Sequence, residues 1–157
     1  MQKVLGVDVS KAKHDVVLVF EGKKYHKEIN NDKRGFGYLK KWLGFHQAAH
    51  VHACLEATGQ YGEALAEWLL EQGHKVSVVN PARIKRYGQS KLHRNKTDKA
   101  DADLIAEFCL KEKPAFWEPL SPEIKQLRAL NRRLQVLKAI LRQEKNRQKS
   151  GEKNITI

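Results

Sequence analysis

Hydrophobic and polar residues alternate along the first 30 residues in the way that is typical of β-strands. An apolar run that starts at Val4 begins one strand, residues 16–20 form a second, and residues 24–29 form a third. In the third run the side chains at alternate positions, from Tyr25 to Ile29, share one face. Because the connections are short, the three strands are predicted to form an antiparallel meander.

Beyond this meander the spacing of apolar residues changes to three and four, which is typical of helices that pack on a sheet. Asn31 and Asp32 are predicted to cap the first helix. Strands over residues 51–55 and 75–79 are each followed by a helix, and a further helix starts around Thr97. The order βββαβαβα predicts an α/β fold in which a mixed five-stranded sheet is flanked by helices and the first and fourth strands are neighbours.

The last part of the chain carries the spacing of a coiled coil. A long helix is predicted from Ser121 onward, with leucines at a and d positions: Leu127, Leu130, Leu134, Leu137 and Leu141. Only about two heptads are present, where three or four make a coiled coil secure. The predicted organisation is a compact domain over residues 1–119, a helical extension over 120–149 and a polar tail over 150–157.

Charge adds a class of partner to this picture. The 157 residues include 30 Lys and Arg against 18 Asp and Glu, a net charge of +12. Such an excess favours polyanions, and nucleic acid is the commonest of them.

No stretch approaches the roughly 18 apolar residues of a membrane span, and the start of the chain does not resemble a signal peptide. We therefore expect a cytoplasmic protein with no membrane partner. Cys54 and Cys109 stand in apolar contexts and are predicted to be core residues.

Four carboxylates stand where charges are unexpected. Asp8 lies within the first strand, where an unpaired charge would cost several kcal/mol, and Glu56 follows a buried strand directly. Asp98 and Asp101 are separated by about 60° on a helix and point toward its apolar stripe. Asp103, about 140° from Asp98, is predicted to face solvent and to serve as a control.

Converging carboxylates repel one another unless hard cations bind them. Mg²⁺ or Mn²⁺ prefers oxygen ligands, and two such ions about 4 Å apart stabilise both oxygens of a phosphodiester transfer. The alternative stays open on spacing alone: Asp98 at a helix N-terminus, Asp101 in solvent and Glu56 paired with a lysine.

Four segments in order carry a family resemblance: GVDVSKAKHDVVL, CLEATGQYGEALAEWL, VSVVNPARIKRYGQS and NKTDKADADLIAEFC. Together with their spacing, over Leu5 to Gln148, they resemble the DEDD-type insertion-sequence transposases of the IS-one-ten family, which includes the Piv-type site-specific DNA invertases. The resemblance implies an RNase H-like (RuvC-like) fold. It also implies that the catalytic, metal-binding tetrad of the family maps onto the four carboxylates Asp8, Glu56, Asp98 and Asp101.

The same resemblance implies a function and partners. The substrate would be DNA, cleaved and exchanged in transposition or inversion with Mg²⁺ or Mn²⁺, and some members use an element-encoded guide RNA. The family also has a C-terminal domain with a serine nucleophile, which nothing after Ile157 would supply. Under the resemblance the helical extension is expected to form a homo-oligomer, and packing back onto its own domain is an equal alternative.

Basic residues are the candidates for contacts with nucleic acid. A surface loop is predicted over residues 89–96, before the helix that carries two of the carboxylates, and an ordinary solvated loop is an equal alternative. The candidate residues are Lys11, Lys91, Arg94, Lys96, Arg132 and Arg133.

Two other classes of function stay open. A non-catalytic DNA- or RNA-binding module would need only the basic surface. A phosphotransferase of the actin and sugar-kinase type would also begin with an Asp-bearing hairpin, but Asp8 is not followed by the glycines that let a loop approach phosphates.

Overall fold

A computed structural model describes the backbone of residues 2–91 and 98–155 and the side chains of residues 2–91 and 101–151. The strands are β1 (Val4–Val9), β2 (Lys13–Phe20), β3 (Lys23–Asn30), β4 (His52–Glu56) and β5 (Lys75–Val79). The helices are α1 (Lys33–Phe45), α2 (Glu63–Glu71), α3 (Pro81–Ser90), α4 (Asp98–Glu112) and α5 (Pro122–Ile155). The predicted order of elements and the α/β class are confirmed.

The five strands form one mixed sheet in the order β3-β2-β1-β4-β5. The pairs of β1 with β2 and of β2 with β3 are antiparallel, as a meander requires. The pairs of β1 with β4 and of β4 with β5 are parallel. The prediction that the first and fourth strands are neighbours is therefore confirmed.

Each face of the sheet has its own apolar core. On one face, alternate residues of the strands such as Leu5 and Val7 pack with the buried sides of α1 and α2. On the other face, Val4 and Cys54 pack with α4 and with Ile84 of α3. Because strand side chains alternate, β1, β2, β4 and β5 contribute to both cores, whereas β3 contributes to the first core only; this explains the nearly continuous hydrophobic runs in the central strands.

Of the two residues predicted to cap the first helix, Asp32 is the N-cap, whereas the Asn31 side chain donates hydrogen bonds to two loops. The Asp32 carboxylate accepts a hydrogen bond of 2.7 Å from the Gly35 amide at the start of α1. The Asn80 side chain accepts one of 2.8 Å from the Ala82 amide, with Pro81 in the first turn of α3. These contacts satisfy amide groups that helix starts leave without partners.

The structure shows more helix than predicted at the surface loop and in the polar tail. Gln89 and Ser90 belong to α3 and Lys91 is its C-cap; the rest of the predicted loop, residues 92–96, lies outside the described residues. The predicted polar tail is helical through Ile155, since no proline interrupts α5.

The chain divides into two compact units, Met1–Trp117 and Glu118–Ile157. The second unit is built on α5, whose leucines at heptad spacing are exposed by roughly half. The predicted domain bounds stay a prediction. No described helix combines the length and the hydropathy that crossing a membrane requires.

Candidate active site

Asp8 and Glu56 lie beside each other on neighbouring strands. In the parallel pair of β1 and β4, Gly6 is opposite Cys54, and continuing this register by two residues places Asp8 beside Glu56. Gly6 and Cys54 both face α4, and side chains two positions along a strand share a face. Both carboxylates therefore stand on the α4 face, at the carboxyl ends of strands about 4.8 Å apart.

Helix α4 is pressed directly onto β1. A Cβ atom added to Gly6 would lie 2.7 Å from the Ala106 amide nitrogen and 2.8 Å from the Ala106 Cβ, and Ala102 is fully buried. Asp101 precedes Ala102 and is exposed at the flank of the helix. Asp98 begins α4, one turn earlier, and its side chain lies outside the described residues.

The electrostatics connect Glu56 to Asp101. Burial raises the pKa of the Glu56 carboxyl above its ordinary value, and the negative charge of Asp101 raises it further. The charge of one carboxylate thus disfavours the ionised form of the other, so a cation that binds between them would relieve this repulsion. The acidic oxygens are of the kind that Mg²⁺ and Mn²⁺ prefer.

The described side chains do not form a ready-made metal cage. Among residues 2–91 and 101–151, no three His, Cys, Asp or Glu side chains are close enough together to hold an ion. The described part of the candidate site is therefore Asp8 beside Glu56, with Asp101 within electrostatic range of Glu56.

Comparison with known proteins identifies the family. Residues 5–150 match the model of the DEDD transposases of the IS110 type, which is described as a transposase. The chain belongs to this DEDD transposase family. It is 36% identical over 148 residues to the pilin gene-inverting proteins of Moraxella bovis and Moraxella lacunata. The aligned part is 93% of this chain and 46% of each relative, so the chain spans about half the length of the curated relatives that it matches.

Solved structures support the fold. Thermus thermophilus RuvC is similar with a TM-score of 0.51 both in a complex with a Holliday junction substrate and alone, at 13% and 15% sequence identity. The similarity covers 74% and 73% of this chain and 99% of RuvC. The predicted RNase H-like (RuvC-like) fold is therefore confirmed.

Strand β2 of this family member carries a further carboxylate, Asp15, which the sequence analysis missed. Asp15 on β2 is the direct partner of Asp8, and Glu28 on β3 is the partner of Asp15. Glu28 in turn binds the Lys13 ammonium at 2.7 Å. A row of acidic positions thus crosses three strands at the level of Asp8. In an antiparallel pair the numbers of two partner residues have a constant sum, as for Val4 with Val19 and Asp8 with Asp15. A predicted register for this hairpin could therefore have identified Asp15.

Asp103 does not face solvent, contrary to the prediction. Its carboxylate lies 2.5 Å from the His26 Nε2 and 3.8 Å from the Lys24 Nζ, both on β3, and its side chain is 28% exposed. Helix α4 lies across β1 and β2, so the flank that carries Asp103 reaches the neighbouring β3. The angle of a residue around its helix does not indicate how far the sheet extends beneath that helix.

The predicted nucleic-acid residues fall into different environments. Lys11 is exposed in the turn after β1, and Arg132 and Arg133 are exposed on α5. Lys91 forms an ion pair with Glu107, which raises the pKa of the Lys91 ammonium, and lies 4.9 Å above the Tyr87 ring. Two further candidates, Arg94 and Lys96, lie outside the described residues.

Asn31 ties together the two loops that follow the first two carboxylates. Its side-chain amide donates to the Lys11 carbonyl at 3.2 Å and to the Tyr61 carbonyl at 3.0 Å. Lys11 belongs to the turn after Asp8, and Tyr61 belongs to the loop after Glu56. One side chain therefore positions both loops, which no pattern in the sequence indicated.

The same turn is also held by a buried histidine. The Ser10 amide donates to the Nδ1 atom of His14 at 3.3 Å, and His14 is fully buried. Burial lowers the pKa of the His14 imidazole, which keeps Nδ1 able to accept this hydrogen bond.

The two cysteines are buried, as predicted, but they are not isolated from other polar groups. Cys54 on β4 and Cys109 on α4 belong to the same core. The Cys109 sulfur lies 3.4 Å from His52 Nδ1, and His52 Nε2 lies 2.7 Å from the Ser77 hydroxyl. These contacts link Cys109, His52 and Ser77 into a row of polar side chains within the apolar core.

Proposed function

We propose that this unit cleaves and exchanges DNA strands in transposition or inversion, in a reaction that depends on Mg²⁺ or Mn²⁺. Asp8, Glu56, Asp98 and Asp101 are the proposed catalytic and metal-binding residues. The observation that supports this most is the placement of Asp8 beside Glu56 on one face of the sheet, with the charge of Asp101 acting on Glu56.

The residues present fit a hard cation. Two partly buried carboxylates, Asp8 and Glu56, stand side by side, and the negative charge of Asp101 raises the pKa of Glu56, a repulsion that a bound cation would relieve. When bound, Mg²⁺ or Mn²⁺ would stabilise charge on the attacking and leaving oxygens of the phosphodiester. The pairing of β1 with β4 holds Asp8 beside Glu56. Lys11, in the turn after Asp8, can bind a neighbouring phosphate.

DNA as substrate rests on the family and on its relatives. The curated relatives are named for inverting a pilin gene, and the RuvC of similar fold is bound to a Holliday junction. Because the relatives are about twice as long as the matched region, the activity proposed for this chain is the metal-dependent step. A guide RNA and a cytoplasmic location belong to the same proposal.

Association through α5 is also part of the proposal. Its exposed leucines follow heptad spacing, which suits pairing with a second copy of the helix. Arg132 and Arg133, on the same helix, would contact nucleic acid.

The test is a calorimetric titration with Mn²⁺ of the wild type, Asp8→Asn, Asp101→Asn and Asp103→Asn. Asp103 is the matched control, because it is two residues from Asp101 on the same helix and has its own partners on β3. We expect binding that is lost in the first two variants and kept in the third. Equal titrations in all four proteins would favour the non-catalytic nucleic-acid-binding module instead.

A further inference from the structure

Helix α1 presents a face to solvent that carries positive charge only. The buried side of the helix consists of Phe36, Leu39 and Leu43. At about 100° per residue the side that faces solvent is an arc of about 160°, which holds Lys33, Arg34, Gly37, Tyr38, Lys40 and Lys41, all of them exposed. No acidic residue occurs anywhere in the 13 residues of α1. We call these six residues the α1 basic face.

The four cations of this face have no ion pairs with the described carboxylates. Asp32, the nearest acid along the chain, is occupied as the N-cap of the helix. Elsewhere in the same unit Lys13, Lys24 and Lys91 do bind carboxylates. Four like charges on one short helix raise the local potential, which a polyanion would lower.

Two further residues suit close contact with a polynucleotide. The Tyr38 ring is 47% exposed, with the Arg34 guanidinium 5.9 Å from its centre. Gly37 lies in mid-helix, where glycine costs about 0.5–1 kcal/mol relative to alanine. A Cβ atom at Gly37 would meet nothing within 4 Å, so packing within the protein does not require glycine there. Its bare backbone would let a ligand approach the helix closely.

The α1 basic face begins near the carboxylates. The Asn31 amide, just before α1, donates to the Ala12 carbonyl at 2.9 Å, and the Asn31 side chain donates to the Lys11 carbonyl. These carbonyls belong to the turn that follows Asp8. From there the helix runs for about 20 Å, which equals about six base-pair rises along the axis of a duplex.

We propose that the α1 basic face is a second nucleic-acid-binding surface, which holds the phosphodiester backbone of a polynucleotide on the side of the sheet opposite to α4. The polynucleotide would pass from the edge that carries Asp8 and Glu56 along α1. The proposal goes beyond the metal-dependent step and does not require metal at the carboxylates. DNA and RNA present the same backbone chemistry, so the experiment includes both.

The test compares two variants that each lose three positive charges. One is Arg34→Gln/Lys40→Gln/Lys41→Gln. The matched control is Lys23→Gln/Lys75→Gln/Lys113→Gln: Lys23 and Lys75 begin β3 and β5, at the end of the sheet away from Asp8 and Glu56, Lys113 follows α4, and all three are exposed. Binding of a labelled DNA duplex and of an RNA hairpin of the same sequence is measured in EDTA over a series of salt concentrations.

We expect the α1 variant to weaken binding at least about tenfold and to lower the slope of log K against log salt by about 2–3, with about 0.9 expected per lost phosphate contact on duplex DNA. The control should lose clearly less affinity, and the polynucleotide with the larger loss is the ligand of this surface. Equal losses in both variants, or no binding by the wild type in EDTA, would overturn the proposal. Mn²⁺ titration of the same α1 variant should match the wild type, so the two proposals can fail separately.

A single substitution tests the close approach at Gly37. Gly37→Gln should raise the melting temperature, because it removes a glycine from a helix interior, and should weaken nucleic-acid binding, because it adds a side chain to the contact surface. A variant that is more stable and binds as tightly as the wild type would contradict the proposed contact.

Discussion

Gly6 is the residue on which the position of α4 depends, and Gly6→Ala is the sharpest test of how the site is built. The added Cβ would lie 2.7 Å from the Ala106 amide nitrogen and 2.8 Å from the Ala106 Cβ. Carbon atoms in contact are normally about 3.5–4.0 Å apart, so α4 would have to withdraw by about 1 Å. Such a gap forfeits about a quarter to a half of the dispersion energy along the interface.

The expected cost follows from this geometry. Overpacking of a well-packed core costs about 1–3 kcal/mol. For a chain of this size each kcal/mol lowers the melting temperature by about 2–4 °C, so we expect a decrease of about 2–12 °C. Because α4 carries Asp101, the same shift would displace a proposed metal ligand, and Mn²⁺ affinity should fall about tenfold or more.

Gly37→Ala is the matched control for this prediction. It makes the same chemical change where no atom lies within 4 Å, so it should raise the free energy of unfolding by about 0.5–1 kcal/mol and leave Mn²⁺ binding unchanged. The assays are thermal unfolding by circular dichroism and Mn²⁺ calorimetry. A Gly6→Ala variant that keeps the melting temperature and the Mn²⁺ affinity of the wild type would refute the close packing of α4 on β1.

Three further predictions concern single groups. Asp101→Asn should lower the pKa of Glu56, because it removes a like charge, whereas Asp103→Asn should not; carbon-detected NMR titration of the Glu56 carboxyl measures both. Burial lowers the pKa of His14, so the folded state resists protonation of this side chain. The free energy of unfolding should therefore fall as the pH drops below about 6.5, the ordinary pKa of histidine. His14→Gln should reduce this fall, as measured by acid unfolding. Asn31→Ala should weaken Mn²⁺ binding several-fold with little change in melting temperature, and a loss of stability without a loss of affinity would contradict its positioning role.

The pH dependence of stability tests whether the surroundings of Glu56 disfavour its ionised form. Its raised pKa means that the ionised carboxylate destabilises the folded state, a penalty that is absent below its ordinary pKa and present in full above the raised one. In EDTA, Glu56→Gln should therefore stabilise the protein at about pH 8 and do so less at about pH 4. An equal effect at both pH values would argue that Glu56 has an ordinary environment.

The sequence predicts the sheet well because its signals are local. Alternation along β2 and β3 and the short connections between them define the meander, and adjacency of the first and fourth strands follows from general rules of connection. This adjacency already places Asp8 near Glu56. The catalytic and metal-binding roles of the tetrad came from the family resemblance and stay a prediction, and the Asp98 side chain lies outside the described residues.

What the sequence could not supply depends on how elements pack on one another. Asp103 was expected in solvent because an angular count on a helix contains no information about the width of the sheet beneath it. The bond from Asn31 to the Tyr61 carbonyl joins parts of the chain that are 30 residues apart, and no periodicity predicts it.

The most direct test of the central claim is the anomalous diffraction of Mn²⁺ in crystals of this chain. We expect an anomalous peak between the carboxylates of Asp8 and Glu56, at about 2.0–2.4 Å from an oxygen of each, and its loss in Asp8→Asn crystals. Crystals in which Mn²⁺ binds only elsewhere, or does not bind while these side chains are well ordered, would contradict the assignment of a metal-dependent active site to these carboxylates.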